Sequence, residues 1–229
     1  MTGSSPKKKE IVVFDFDGTS ISGNSPVLLV RYLWREGLLR KSILTRIALW
    51  GLAYKLRLPQ NESWVRGLVF SAFVDMTQEE ADQLITTFYY QEVAKRFRKQ
   101  ADEAIRYHLS LGREVWVVSA TFEPIILEVM KEHPFTHQFS TRMQVDERGH
   151  YTRLVEGTPV EGSEKIRLVH EYADECYGKD GWVLVSAYGD HHSDRPMLAA
   201  AQFPYAVTPD RPLRRTARRN GWTILDWEK

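Results

Sequence analysis

The stretch Ile11-Val-Val-Phe14-Asp15-Phe-Asp17-Gly18-Thr19 decides how this chain is read. Ile11–Phe14 is an unbroken β-branched and aromatic run, and it ends on two acids and a glycine. A continuous apolar run of this length fits a strand buried on both faces, as in a parallel sheet covered by helices on either side. Similar runs recur at Val115–Val118 and Val183–Ala187, each bounded by glycine or small polar residues and followed by a helical pattern. The expectation is an α/β fold in three layers around a central parallel sheet.

The remaining composition agrees with a packed enzyme-sized domain. The chain has 229 residues, 43% hydrophobic and 27% charged, enough for a full core. A net charge of +1 gives no global case for a nucleic-acid partner. The single cysteine, Cys176, excludes an internal disulfide and fits a reducing, cytoplasmic setting. Cys176 shares a helical face with Ile166, Val169 and Ala173 and is expected in the core. No stretch reaches the ~18 apolar residues of a membrane span. The richest, Ile43–Leu58, is broken by Arg46, Lys55 and Arg57.

Between the first two strands lie almost a hundred residues with helix signals only. Ser25-Pro26 opens a helix that Gly37 closes. A second helix is expected from about Ser42 to Pro59, and a third from Asn61 through Phe73. Thr77 and Glu80 form a capping box that opens a long helix, with Gly112 after its end. The expected division is therefore a core of residues 1–18 and 113–229 carrying an inserted helical domain, 19–112. Its joints would lie near Thr19–Asn24 and near Gly112.

The chemistry concentrates at strand ends, where open α/β sheets bind ligands. Asp15 and Asp17 end the first strand, and Ser119-Ala120-Thr121 ends the second. Asp190 and Asp194 follow the strand that contains Val183–Ala187. Lys165 lies near the start of a helix, where the helix dipole does not favour a cation. Clustered carboxylates repel one another unless a cation offsets them, and an all-oxygen set suits Mg²⁺.

These four strings, in this order, resemble the haloacid dehalogenase superfamily, and within it the phosphoserine-phosphatase-like branch with a helical cap between the first and second motifs. The resemblance implies a Rossmann-like core and a Mg²⁺-dependent phosphatase for a small phosphorylated substrate. It makes Asp15 the nucleophile that becomes an aspartyl-phosphate, and Asp17 the general acid and base. It places Gly18, Ser119, Ala120 and Lys165 around the phosphoryl group. Mg²⁺ would be held by Asp15, the Asp17 backbone carbonyl and Asp190, with Asp194 acting through water or through the other ligands.

Two departures bear on the substrate. Ser20 stands where the family usually has leucine. Gly18–Arg35 contains no acid that could hold the ammonium of phosphoserine, as a glutamate of the cap does in phosphoserine phosphatases. The inserted segment is also uneven in charge. Residues 31–58 carry seven Arg or Lys against Glu36, and residues 59–92 carry Arg66 against six acids. Arg40, Lys41, Arg46, Lys55 and Arg57, with Trp50 and Tyr54, form a basic amphipathic stretch able to rest on anionic lipid. A lipid-phosphate phosphatase at a membrane surface is accordingly the alternative enzyme reading, ranked below a soluble-substrate phosphatase. A regulatory protein that keeps the phosphate site without turnover ranks last, since every catalytic position is filled. His191 and His192 are expected as exposed loop residues, and Arg211, Arg214, Arg215, Arg218 and Arg219 as a solvated helix face.

Overall fold

The computed structural model describes residues 8–39, 45, 69–74 and 76–228. Among them, β1 (Lys9–Phe14), β2 (Glu114–Phe122), β3 (His137–Thr141), β6 (Trp182–Gly189), β7 (Phe203–Val207) and β8 (Thr223–Leu225) form one sheet. Its order is β3-β2-β1-β6-β7-β8, and every pairing is parallel. The chain leaves β1 to one side for β2 and β3, then returns to the other for β6, β7 and β8. The switch point where ligands bind in such sheets therefore falls between β1 and β6.

The alternation of β1 builds both faces of the core. Ile11 and Val13 are fully buried with Trp116 and Val118 against Val169 and Ala173 of α5 (Ser163–Tyr177), Met197 and Leu198 of α6 (Arg195–Ala200), and Leu213 and Ala217 of α7 (Arg211–Asn220). Phe14 faces the other layer, edge-on to His108 of α3 (Lys99–Ser110) and stacked on Tyr188 at 4.1 Å. Each such buried side chain contributes about 1.5–3 kcal/mol, which explains the absence of polar positions between Ile11 and Phe14. Three further helices are α1 (Ser25–Arg35), α2 (Gln78–Phe88) and α4 (Glu123–Glu132).

The described residues divide into two compact units. One comprises the chain up to Asn24, Arg96–Thr141 and Thr158 onward; the other comprises Ser25–Lys95 and Arg142–Gly157. The boundaries differ from those expected, 19–112, in two respects. First, the helix opened at Thr77 is not continuous to Gly112. It passes into a π-helical turn at Tyr89–Val93, and Phe97 bridges to Ile21 while Arg98 is extended at φ −79° and ψ 130°. That break hands α3 to the first unit, where it packs on β2, and leaves Gly112 inside that unit. Second, the other unit gains an antiparallel pair, β4 (Met143–Val145) and β5 (Tyr151–Val155), so it is not helical throughout. The pair is tied in by a Thr77–His150 bridge and by Gln78 N donating to Gly149 O at 3.1 Å.

The capping box expected at Thr77 and Glu80 is realised. Thr77 Oγ1 accepts from Glu80 N, and Glu80 Oε2 accepts from Thr77 N at 2.9 Å. Phe70 and Phe73 are buried, whereas Trp34 is exposed. Cys176 is exposed rather than buried, because the buried seam of α5 ends at Ala173. The helices expected at 42–59 and from Asn61, with the basic residues Arg40, Lys41, Arg46, Lys55 and Arg57 and the aromatics Trp50, Tyr54 and Trp64, lie outside the described residues apart from 45 and 69–73. Among the described residues no helix is long and apolar enough to cross a membrane.

Candidate active site

Asp15 is the first residue beyond β1, and its N–H donates to Tyr188 O of β6 at 2.9 Å. This bond carries the parallel ladder up to the switch point and sets the carboxylate beside those of β6. Lys165 sits in the first turn of α5, where the helix dipole opposes its charge. Two carboxylates hold it there: Nζ donates to Asp15 Oδ1 at 2.5 Å and to Asp194 Oδ1 at 2.6 Å. All three side chains are buried. Asp194 is itself fixed by His191 N, which donates to Oδ2 at 3.2 Å. Lone oxygens of Asp15, Asp190 and Asp194 lie within 4.8 Å of one another.

The loop after β1 is shaped by this cluster. Gly18 has φ +78°, and a Cβ there would lie 2.1 Å from Asp190 Oδ2. Only glycine permits both the dihedral and the close approach. Thr19 Oγ1 reaches Asp190 Oδ1 at 3.5 Å, the long limit of a hydrogen bond. Ser20, at the position that departs from the family pattern, donates from Oγ to Asp15 O at 2.7 Å and is fully buried. The hydroxyl thus gives the turn an internal tie that leucine would not.

Asp17 is reached from β2. Thr121 Oγ1 donates to Asp17 Oδ2 at 2.7 Å, and Ser119 Oγ donates to Thr121 Oγ1 at 3.0 Å. Ser119 and Thr121 are two apart on a strand and so share a face. That spacing is the sequence signal that marks Thr121 beside Ser119. Ala120 lies between them, and α4 opens at Glu123-Pro124 directly after the strand. The structure therefore gathers Asp15, Lys165, Asp190 and Asp194 in one cluster and links Ser119 to Asp17 through Thr121. His191 and His192 are exposed; His191 Nε2 lies 3.4 Å from an Asp210 carboxylate oxygen.

The electrostatics are those of a cation site. Burial pushes the Asp15 carboxyl up to about 7, against the opposing pull of Lys165 and with help from Asp194. Burial, then Asp15 and Asp194, push Asp190 up to about 9. Burial works against the charge on Lys165, but Asp15 and Asp194 outweigh it and hold the ammonium above its ordinary range. One ammonium does not balance four carboxylates, so some would take protons near neutrality without further positive charge. A divalent ion that prefers oxygen ligands fits this donor set. Asp15 and Asp190 are the side chains suited to hold it, whereas Asp194 is committed to Lys165 and His191 N.

Comparison with known proteins gives the family and the fold. Residues 12–199 match the haloacid dehalogenase-like hydrolase family. The chain is 26% identical to a probable phosphatase of Mycobacterium tuberculosis, over 99% of this chain and 78% of that protein. It is 25% identical to a histidinol-phosphatase of Neisseria meningitidis serogroup C, over 96% of this chain and 100% of that protein. Its fold is similar to that of a substrate-bound phosphoserine phosphatase, with a TM-score of 0.65 and 20% identity over 96% of this chain and 93% of the other. With the family match running from β1 through α6, across the whole acid cluster and its lysine, the chain belongs to the haloacid dehalogenase-like hydrolases.

Proposed function

We propose that this hydrolase is a Mg²⁺-dependent phosphatase of the cytoplasm that cleaves a small phosphomonoester through an aspartyl-phosphate on Asp15. The observation that carries the reading is the buried Asp15–Lys165–Asp194 contact, placed against Asp190 at the switch point of the sheet. Asp15 attacks phosphorus, and the bond from phosphorus to the leaving oxygen breaks. Asp17 gives that oxygen its proton, then takes one from the water that attacks the acyl phosphate. Inorganic phosphate departs and Asp15 is restored. Lys165 stabilises charge on the nucleophile and on the phosphoryl oxygens, and Ser119, Ala120 and Gly18 supply hydrogen-bond donors around them. Thr121 holds the Asp17 carboxylate by its 2.7 Å bond. Asp15, Asp190 and the Asp17 carbonyl would hold the Mg²⁺, which supplies charge neutralisation between nucleophile and phosphate.

The test is hydrolysis of an aryl phosphate with Mg²⁺, after EDTA, and with Asp15→Asn. Loss of turnover in the last two is expected, with beryllofluoride bound only by the native chain. Full activity in Asp15→Asn would remove the covalent mechanism.

For the natural leaving group, histidinol phosphate is the first compound to test, because a relative matched along its full length is named for it. Phosphoserine is the comparison. Both carry an ammonium, and residues 18–35 offer no acid to meet it. Phosphoserine is therefore expected to be no better than a simple alkyl phosphate. A marked preference for either amine would assign the pairing acid elsewhere, with Glu62 and Asp75 as the candidates to change.

A further inference from the structure

Arg98 is a buried guanidinium, 9% exposed, whose acceptors are backbone carbonyls rather than carboxylates. Nη1 donates to Trp227 O at 2.8 Å, Nη2 approaches Gly18 O at 3.4 Å, and Nε is buried without a partner. Its own N–H donates to Ser20 O at 2.9 Å, so one residue grips the 18–20 turn twice. Burying a cation with so few acceptors is costly, and a carboxylate partner would be the cheaper arrangement. Arg98 lines a cavity of about 310 Å³ together with Asp17, Gly18, Asp190, Thr208 and Glu228.

The carbonyl that Arg98 holds on its far side belongs to a fastened segment. Trp227 N donates to Thr208 Oγ1 at 3.1 Å, and Thr208 N donates to Leu225 O at 2.6 Å. Thr208 has φ +40°, a conformation that a β-branched residue adopts only where its surroundings impose it. The Trp227 ring lies over Tyr188 at 6.0 Å, one residue before the Gly189-Asp190 pair, and Asp210 N donates to Asp190 O at 2.9 Å. Residues 226–228 are thereby attached to the ends of β6 and β7.

We propose that Arg98 is a positioning residue for the cation-holding loops. It ties the Asp17-Gly18 turn after β1 to the 226–228 segment, and through that segment to the loop bearing Asp190. A divalent ion then meets oxygens from two strand ends already held at a fixed separation. A Cβ on Gly18 would overlap Asp190 Oδ2, so the turn that Arg98 holds lies directly beside that carboxylate. This inference rests on reading Asp15, Asp17 and Asp190 as the cation ligands.

The experiment is calorimetric titration of Mg²⁺, without substrate, into the native chain, Arg98→Met, Arg98→Lys and a chain ending at Leu225, with melting temperatures taken in EDTA. Arg98→Met is expected to weaken Mg²⁺ binding about tenfold, the scale for partners that orient metal ligands. Arg98→Lys, which keeps the charge but cannot span two carbonyls, should recover only part. The shortened chain should show a similar loss, and combining it with Arg98→Met should add little. Native affinity in Arg98→Met with a lowered melting temperature would overturn the proposal, as would full rescue by lysine or multiplicative effects in the combined variant. Where Arg98→Met fails to fold, native affinity in the shortened chain overturns it alone. Absence of Mg²⁺ binding by the native chain would instead remove the metal site on which the inference rests.

Discussion

The turns at Gly18 and Gly149 have nearly the same dihedral, φ +78° and φ +80°, yet they meet different surroundings. A Cβ on Gly18, in the first unit, would strike Asp190 Oδ2 at 2.1 Å, whereas one on Gly149, in the second, has nothing within 4 Å. Gly149 has no side chain crowding it, and its backbone closes the turn between β4 and β5 and accepts from Gln78 N. Gly18 answers to its backbone and to a carboxylate from a strand that follows far later in the chain. The contrast separates a residue required for local shape from one required by the site.

Exchanging each glycine for alanine tests the two roles separately. Gly18→Ala should lower kcat/KM on an aryl phosphate by at least about 100-fold, since displacement of reacting groups by an ångström has that scale. Gly149→Ala should leave kcat/KM unchanged and lower stability by about 1 kcal/mol in denaturant melts. Comparable activity losses in the two variants would erase the distinction.

A second effect concerns the first unit's buried polar groups. His108 Nδ1 lies 3.0 Å from Arg113 Nη1, which can only donate, so Nε2 carries the proton and donates to Tyr188 OH at 2.9 Å. Burial, aided by the Arg113 charge, pushes the imidazole down to about 4 from 6.5. The unfolded chain therefore takes up a proton over a pH range where the folded chain does not. Stability from this source is fully present above pH 6.5 and is lost as pH falls toward 4, by roughly 3 kcal/mol at most. His108→Gln, which offers an acceptor and a donor that do not titrate, should flatten the slope of melting temperature against pH across that window. An unchanged slope would mean that other groups control it.

The smallest effect belongs to the second unit. Thr77→Ala removes the capping box and should cost about 1 kcal/mol in stability without altering Mg²⁺ affinity. A loss of metal binding in this variant would show that the second unit reaches the chemistry by a route its local devices do not suggest.

The elements legible in the sequence are those with one dominant cause. Ile11–Phe14 is apolar because both faces of β1 are covered, and the acids at its end crowd like charges that Lys165 offsets only in part. Lys165, Ser119 and the β6 acids are readable for the same reason. β3, His137-Gln-Phe-Ser-Thr141, was not legible, because its polar residues lack the apolar run of a central strand. β7 carries Pro204, and β8 is a three-residue edge. The pattern after Thr77 favours helix throughout, and only the tertiary bridge from Phe97 to Ile21 interrupts it. Arg98 is equally hidden, since its partners are carbonyls of residues 18 and 227, and backbone carbonyls leave no trace in side-chain identity.

The hairpin at 143–155 changes how the chain can be taken apart. Each compact unit contains sequence that lies between pieces of the other, so neither is contiguous along the gene. Excising 19–112 would remove α3 from beneath the sheet and strand the hairpin without the 76–78 backbone that it pairs with. A transplant of the second unit from a relative must exchange 25–95 and 142–157 together. During synthesis, residues 76–78 wait until the ribosome has passed β4 before their partners at 149–151 exist, so the second unit is completed only after β1, β2 and β3 of the first have been made.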